Sequence, residues 1–185
     1  VLFCGASGAG KSTLAAALGE YGYPLIADDQ CAIEIGDDGI PMIQADGRQL
    51  RLWEKSISEL GLAQRRGDAM RNRLLKFYVD PAAASDRPAP VGAVYALTEI
   101  RHPEEPGIEL PNIVDATKLL TANAYRPMLI HRFAQRDVYF RGGTTIAAKS
   151  GIFRLRRRLG FDGLPATITM LREHWTEIGL TEAAT

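Results

Sequence analysis

The residues with the clearest capacity for chemistry lie at the start of the chain, where glycines, a lysine and a serine follow an apolar run. Gly5, Gly10, Lys11 and Ser12 match the spacing G-x-x-x-x-G-K-[ST], which binds nucleotide phosphates when a strand precedes it and a helix follows. Residues 1–4 predict that strand, and the helix-forming residues after the lysine predict the helix. This segment therefore predicts nucleotide binding.

Each residue type in this segment has a chemical reason. The glycines let successive backbone N–H groups converge on one anion, and the helix that begins near Lys11 adds the positive end of its dipole. We expect Lys11 to reach the β- and γ-phosphates and the Ser12 hydroxyl to ligate Mg²⁺. The predicted nucleotide-binding residues are Gly5, Ser7, Gly8, Ala9, Gly10, Lys11, Ser12 and Thr13.

Two adjacent carboxylates, Asp28 and Asp29, follow a second apolar run at residues 23–27, which predicts a short buried strand. In phosphoryl-transfer sites, an acid near the phosphate loop binds the metal or orients the acceptor hydroxyl. The two like charges repel each other, so a shared site needs a metal or a raised pKa to hold both. A solvated turn is the alternative, because Asp is common in turns.

Three arginines are candidates for the further cation expected near a γ-phosphate, namely Arg51, Arg154 and Arg156. A basic run at residues 64–80 predicts either a solvated face or a surface for an anionic or acidic substrate. Its basic members are Arg65, Arg66, Arg71, Arg73 and Lys76. Trp53 is expected in the core rather than against a nucleotide, and His131 in a structural or exposed position.

The rest of the chain alternates between apolar runs and turn residues. The predicted strands and loops are a hairpin of residues 31–35 and 40–43 around a turn at 36–39, an extended stretch at 49–53, a loop at 81–90, an interior strand at 91–97, a loop with an edge strand at 99–111, and a late strand at 152–155. The predicted helices are 54–60, 112–123, one or two within 128–149 that are broken or kinked near Gly142 and Gly143, and a last one from Pro165.

Length and composition are those of one globular domain covering residues 1–185. Its 22 basic residues balance its 22 acidic residues, which disfavours nucleic acid as the main partner. No apolar run reaches the roughly 18 residues of a membrane span. Cys4 and Cys31 are expected as buried, reduced thiols of a cytoplasmic protein. Val1 already lies inside a strand, so we expect the natural chain to begin upstream with at least one further strand.

Residues 5–12 (GASGAGKS), followed by residues 25–29 (LIADD), resemble the HPr kinase/phosphorylase family. The layout is also similar to the nucleotide site of ATP-dependent phosphoenolpyruvate carboxykinase. The resemblance implies an α/β fold of the P-loop type, with a mixed sheet flanked by helices. Residues 46–53 do not match the Gly-rich, Glu-containing signature of bacterial HPr kinases. The chain looks more like the short HPr-kinase-like proteins that include lasso-peptide tailoring kinases.

This resemblance implies a kinase that uses ATP and Mg²⁺ to phosphorylate a Ser of a peptide or protein, such as a lasso-peptide precursor. Lys11, Asp28 and Asp29 would be catalytic, with Asp28 as the base and Asp29 beside Ser12 on the metal. Adjacent side chains point in opposite directions on an extended strand, so the residues alone leave open which carboxylate has which role. A small-molecule kinase for serine or a sugar, and a non-catalytic module gated by nucleotide, stay open, as does a homo-oligomer.

Overall fold

A computed structural model describes residues 1–46, 49–71, 74–125 and 127–180 of the chain. Its strands are β1 (Leu2–Cys4), β2 (Ala32–Ile35), β3 (Pro41–Gln44), β4 (Leu50–Trp53), β5 (Arg66–Arg71), β6 (Leu74–Val79), β7 (Ala89–Pro90), β8 (Val94–Glu99), β9 (Gly107–Glu109) and β10 (Ile152–Arg157). Its helices are α1 (Lys11–Glu20), α2 (Glu54–Glu59), α3 (Ile113–Ala122), α4 (Pro127–Arg132), α5 (Arg136–Lys149) and α6 (Leu164–Glu177). This mixture of strands and helices confirms the predicted α/β class.

The largest sheet has the strand order β1-β8-β10-β9. Both β1 and β10 run parallel to β8, and β9 pairs antiparallel with β10 at the edge. Apolar residues alternate between the two faces of β8: Tyr95 and Leu97 pack in a cluster with α1 and α6, and Val94 packs in another with α3 and α5. A strand covered on both faces needs such a nearly continuous apolar sequence. The loop after β1 emerges at the carboxyl edge of these parallel strands, where α/β folds commonly bind ligands.

Two smaller antiparallel sheets flank this core, with the orders β2-β3-β7 and β4-β6-β5. The second sheet buries Leu50, Leu52, Phe77 and Val79 against Ala16 of α1 and neighbouring apolar side chains. Because side chains alternate across a strand, the intervening residues of β4 and β6 face away from this cluster. This second sheet therefore fastens β4, which carries Arg51, to α1.

The predicted buried strand at residues 23–27 is wrong. Only Leu25 pairs with another segment, through an isolated parallel bridge to Ala84. Leu25 is buried and Pro24 is exposed, while Tyr23 packs edge-on against Trp175 and Ile26 packs against the cluster with α3 and α5, so side-chain packing rather than strand pairing secures this part of the chain. The acidic pair follows an irregular segment that is also held by a hydrogen bond of 3.1 Å from the Asp46 amide to the Ile26 carbonyl.

The predicted helix break at Gly142 and Gly143 is also wrong, because α5 continues through both residues. A Cβ on Gly143 would lie 3.4 Å from Cγ2 of Thr117 and 3.8 Å from Cδ1 of Leu120, both on α3. The missing side chain therefore lets the two helices approach closely. The interruption falls earlier, at residues 133–135, between α4 and α5.

The other predicted elements agree with the structure within a few residues. These are the hairpin around residues 36–39, the stretch 49–53, helix 54–60, the interior strand near 91–97, the edge strand within 99–111, helix 112–123, the late strand and the last helix. Within the described ranges, no helix has both the length and the apolar sequence needed to cross a bilayer.

A buried polar contact joins the last helix to the central sheet. Tyr95 Oη lies 2.6 Å from His174 Nδ1, and the histidine ring also stacks edge-on against Phe153 at 4.5 Å. Burial raises the pKa of Tyr95 above its ordinary range, so the phenol stays protonated and can donate to a neutral imidazole. Burial lowers the pKa of His174 below 6.5, against a smaller opposing effect of Glu177.

The pKa of His174 predicts a stability that depends on pH. The unfolded chain binds the imidazole proton more tightly, so this stability is complete above the unfolded pKa of 6.5 and is lost as the pH falls below it. We expect the Tm of the wild-type protein to fall between about pH 7 and about pH 5, and His174→Gln to flatten that dependence. His102→Gln, at an exposed position, is the control for thermal melts. Parallel curves for all three proteins would exclude this role.

Candidate active site

The glycine loop, which we define as residues 5–10, connects β1 to α1. Gly8 and Gly10 have φ of 85° and 78°, and Gly10 caps the helix in the left-handed conformation. That region favours glycine, so the loop can make its turn without strain. Lys11, the first residue of α1, donates from Nζ to the carbonyls of Gly5 and Ala6, each at 2.9 Å. The ammonium therefore lies against the loop.

A buried arginine supports this loop from the end of β10. Arg157 is 3% exposed, and its Nη2 donates to the carbonyl of Ala9 at 2.7 Å. A Cβ on Gly10 would overlap the same nitrogen, so glycine at this position also permits the close approach of Arg157. Burial lowers the pKa of Arg157 from its ordinary value, although an arginine keeps its charge at neutral pH.

The first carboxylate of the acidic pair contacts the start of α1. Asp28 Oδ1 accepts a hydrogen bond of 2.8 Å from Ser12 Oγ, and Oδ2 accepts one of 2.9 Å from the backbone amide of Arg51. Both carboxylate oxygens are therefore oriented by neighbours from separate parts of the chain. The structure brings Ser12 and Asp28 together, 16 residues apart in sequence, into one cluster of oxygen atoms.

The second carboxylate, Asp29, forms an ion pair with the guanidinium of Arg51 through Oδ2 and Nη1. The Asp29 side chain is 51% exposed, and its backbone has φ of 70°. A non-glycine residue in that conformation costs about 1–3 kcal/mol and persists where its surroundings hold it. Here the ion pair with Arg51 and the neighbouring Asp28 contacts provide that support, and the two carboxylates have different partners: Asp28 contacts Ser12 and the Arg51 amide, and Asp29 contacts the Arg51 guanidinium.

An open groove of about 2330 Å³ joins these residues. Its lining includes Gly5, Ser7, Gly8 and Gly10 of the glycine loop, together with Ser12, both carboxylates, Arg51, Trp53 and Lys76. It continues along β2, with Ile33 and Ile35, to the α5 side chains Val138 and Tyr139. The groove is open to solvent and extends well beyond the glycine loop and the two carboxylates.

The other residues predicted to bind nucleotide have different surroundings. Ser7 and Gly8 are exposed on the loop, and Ala9 is half-buried. Thr13 Oγ1 lies 3.1 Å from Ser56 Oγ, a contact that joins α1 to α2. All residues of the predicted set except Ala9, which packs against the core, line the groove.

The structure does not bring Arg154 and Arg156 to this site. Both lie on the face of β10 that pairs with Glu109, at 3.4 Å and 3.2 Å respectively. Arg157, the next residue, faces the opposite side and reaches the loop instead. The sequence predicts arginines from this basic cluster near the site, but the candidates Arg154 and Arg156 lie on the face away from it. The alternation of side chains along a strand does not say which face meets the site.

Three further expectations change in the structure. Trp53 is 50% exposed and lines the groove rather than the core. Cys31 is exposed rather than buried, and Cys4 is half-buried, with both thiols free. Burial raises the pKa of Cys4 to about 11, so this thiol stays protonated at neutral pH and acts in packing.

The basic run at 64–80 divides into residues with different surroundings. Arg65 forms an ion pair with Glu20, and Arg66 pairs with Glu54 at 3.1 Å while stacking on Phe77. These two arginines are surface residues that hold the small sheet. Lys76 lines the groove. Arg73 and the side chains of Arg71 and His131 lie outside the described part of the chain.

No protein-family model, no curated protein and no solved structure matches this chain. An assignment of function therefore depends on the residues of the groove and their geometry.

Proposed function

We propose that this protein is a Mg²⁺-dependent serine kinase that transfers the γ-phosphoryl group of ATP to a peptide or protein. The observation that carries the proposal is the contact between Ser12 and Asp28 at 2.8 Å beside a glycine loop. A protein that only binds a nucleotide needs the glycine loop and the lysine. It does not need a second carboxylate beside the first, such as Asp29, which Arg51 orients through an ion pair. Within this proposal, residues 1–185 form a P-loop domain similar to those of HPr kinases and phosphoenolpyruvate carboxykinases, acting in the cytoplasm.

The triphosphate would bind in the glycine loop. Backbone N–H groups of the loop and the positive end of the α1 dipole attract phosphate oxygens. Lys11 would exchange its two carbonyl contacts for the β- and γ-phosphates, a movement that needs only side-chain rotation because the ammonium already lies against the loop. Arg157, underneath the loop, would hold the Ala9 peptide in the orientation that receives the phosphate.

The residues around Ser12 fit a magnesium ion. Mg²⁺ prefers oxygen ligands and is usually held by one or two carboxylates, substrate phosphates and water. Ser12 and Asp28 supply two such oxygens side by side, and no cluster of three or more metal-binding side chains is found among the described residues. When bound, the ion would neutralise charge on the phosphates. The contact with Ser12 favours Asp28, rather than Asp29, as the metal-side carboxylate.

Asp29 would then face the acceptor. Its carboxylate would take the proton of the serine hydroxyl as the serine oxygen forms its bond to the γ-phosphorus. In the same step the bond from that phosphorus to the bridging oxygen of ADP breaks, so the products are phosphoserine and ADP. Arg51 would keep the Asp29 carboxylate in position through their ion pair, and its backbone amide would do the same for Asp28.

The groove supports an extended acceptor. A nucleotide would occupy the part near the loop, and the groove continues past the acidic pair to apolar side chains of β2 and α5. A free amino acid or a sugar would leave most of that length unused. The resemblance to short HPr-kinase-like proteins favours the same reading, with a modified-peptide precursor such as a lasso peptide as the acceptor.

A transfer assay tests this proposal. The protein is incubated with Mg²⁺, ATP and a pool of serine-containing peptides, and in parallel with free serine and simple sugars, and the phosphate is mapped by mass spectrometry. We expect phosphoserine in peptides. Transfer to the small molecules alone would replace the peptide acceptor by a metabolite, and tight ATP binding without any transfer would leave a nucleotide-gated binding module.

The hydrogen bond from Arg157 to the Ala9 carbonyl of the glycine loop predicts that Arg157→Met weakens ATP binding. Hydrogen bonds to charged groups contribute about 1.5–3 kcal/mol, so losing the bond to Ala9 should raise the Kd for ATP by roughly tenfold or more. Calorimetric titration with MgATP measures this change. Arg158→Met is the matched control, since Arg158 is the next residue and its side chain contacts Glu104 and Glu105 instead. Equal affinity in both variants and the wild type would show that Arg157 does not position the loop.

A further inference from the structure

One face of the small sheet β4-β6-β5 lies beside the acidic pair and carries both charge and an aromatic ring. In the register of this sheet, Arg51 is opposite Tyr78 and Trp53 is opposite Lys76. The intervening residues are buried on the other face. Arg51, Trp53 and Lys76 all line the groove that contains Ser12 and both carboxylates, and we call these three residues the acceptor strip.

Trp53 and Lys76 are the neighbouring members of the acceptor strip. Trp53 is 50% exposed, and Lys76 is half-buried, with its Nζ 5.9 Å from the centre of the Trp53 ring. Among the residues that the structure describes, no carboxylate lies within ion-pair distance of Lys76. Glu54, the residue after Trp53, forms its ion pair with Arg66 and not with Lys76. The strip therefore presents a cation whose charge is not matched locally.

The spacing relates this cation to the reacting serine. Arg51 and Trp53 are two residues apart on β4, which corresponds to about 7 Å along a strand. Arg51 holds Asp29, which in the proposed function faces the acceptor hydroxyl. An extended peptide also advances about 7 Å in two residues and returns its side chains to the same face. A serine at Asp29 therefore brings the second residue before or after it to Trp53 and Lys76.

We propose that Trp53 and Lys76 form a specificity subsite for an acidic side chain two residues from the phosphorylated serine. Lys76 attracts the carboxylate, and the Trp53 ring packs against the aliphatic part of that side chain and the adjacent backbone. This inference rests on the proposed kinase function and adds the sequence preference of its acceptor. An adenine ring on Trp53 is the competing occupant, and the test distinguishes the two.

The test measures kcat/KM for four matched peptides, with Glu or Gln two residues before or after a single Ser. We expect one of the Glu peptides to exceed its Gln partner by about fivefold at low ionic strength, a size typical of half-exposed ion pairs. Salt should reduce this preference because the pair is screened. Lys76→Glu should reverse it, so that a peptide with Lys at that position becomes the better substrate, and Lys76→Gln should abolish it.

Controls separate this inference from the function on which it rests. Lys149→Glu changes the same charge at an exposed position outside the groove and should keep the wild-type preference. Transfer to all peptides without preference would overturn the subsite and leave the kinase assignment intact. Absence of transfer to every peptide, with ATP still bound, would overturn both. If Trp53→Ala raises the KM for ATP and leaves the peptide preference unchanged, the ring is a nucleotide platform and the subsite is excluded.

Discussion

Lys11→Ala should lower phosphoryl transfer by about a hundredfold to a thousandfold. The reason is electrostatic: a cation aimed at phosphate oxygens is strongest where charge develops in the transition state, and losing one such donor commonly costs a factor of 10²–10³ in rate. Here the ammonium begins against the loop carbonyls of Gly5 and Ala6, at the mouth of the predicted phosphate site. Rates of phosphopeptide formation and calorimetric affinity for MgATP would measure the effect.

Lys149→Ala is the control for this variant, because Lys149 is an exposed lysine in the last turn of α5. It should match the wild type in both rate and affinity. If Lys11→Ala transfers phosphate at the control rate, the glycine loop is a structural turn, and the nucleotide assignment fails with it. Thermal melts of both variants establish that any loss of activity does not come from unfolding.

Asp28→Asn and Asp29→Asn should impair the reaction in different ways. Asn at residue 28 keeps an oxygen near Ser12 and removes the charge, so the Mg²⁺ concentration needed for half-maximal rate should rise by roughly tenfold or more. Asn at residue 29 removes the proposed base, so kcat should fall by about 10²–10⁴ while the KM for ATP changes little. Steady-state kinetics with Mg²⁺ and ATP varied separately measure both effects.

Asp37→Asn, in the exposed turn between β2 and β3, is the matched control for removal of one carboxylate charge. The reverse pattern, with Asp29→Asn changing the metal dependence and Asp28→Asn lowering kcat alone, would exchange the two roles. That reverse assignment is what the resemblance to HPr kinases implies. Wild-type kinetics in both variants would exclude the proposed phosphoryl-transfer function of the two carboxylates.

The local features of this molecule could be predicted from sequence. The glycine loop and α1 depend on residues adjacent in the chain, since glycine conformations, a helix start and the Lys11 position are set within a few residues. The β2–β3 hairpin has the same origin, because its turn at residues 36–39 carries glycines at both ends. The sequence predicts Arg51 as a cation near the γ-phosphate, whereas its contacts with both carboxylates could be found only from the structure.

Features that depend on the packing of distant segments could not be predicted correctly from the sequence. The run at residues 23–27 has the apolar composition of a strand, yet it finds a single partner at Ala84. Gly142 and Gly143 resemble helix breakers, and only the approach of α3 explains why they lie within a helix. Among the arginines of β10, the residue at the loop is Arg157, and its selection requires knowing which face of the strand meets the site. The amino-acid composition of a strand does not say which of its two faces meets the site.

A crystal structure with Mg²⁺ and a non-hydrolysable ATP analogue would show where the triphosphate lies relative to Asp28 and Asp29. We expect the triphosphate in the glycine loop and the Asp28 carboxylate at the metal, directly or through one water. We expect the Asp29 carboxylate to face the space beyond the γ-phosphorus. A triphosphate bound elsewhere, or both carboxylates directed into bulk solvent away from metal and phosphorus, would contradict the proposed function.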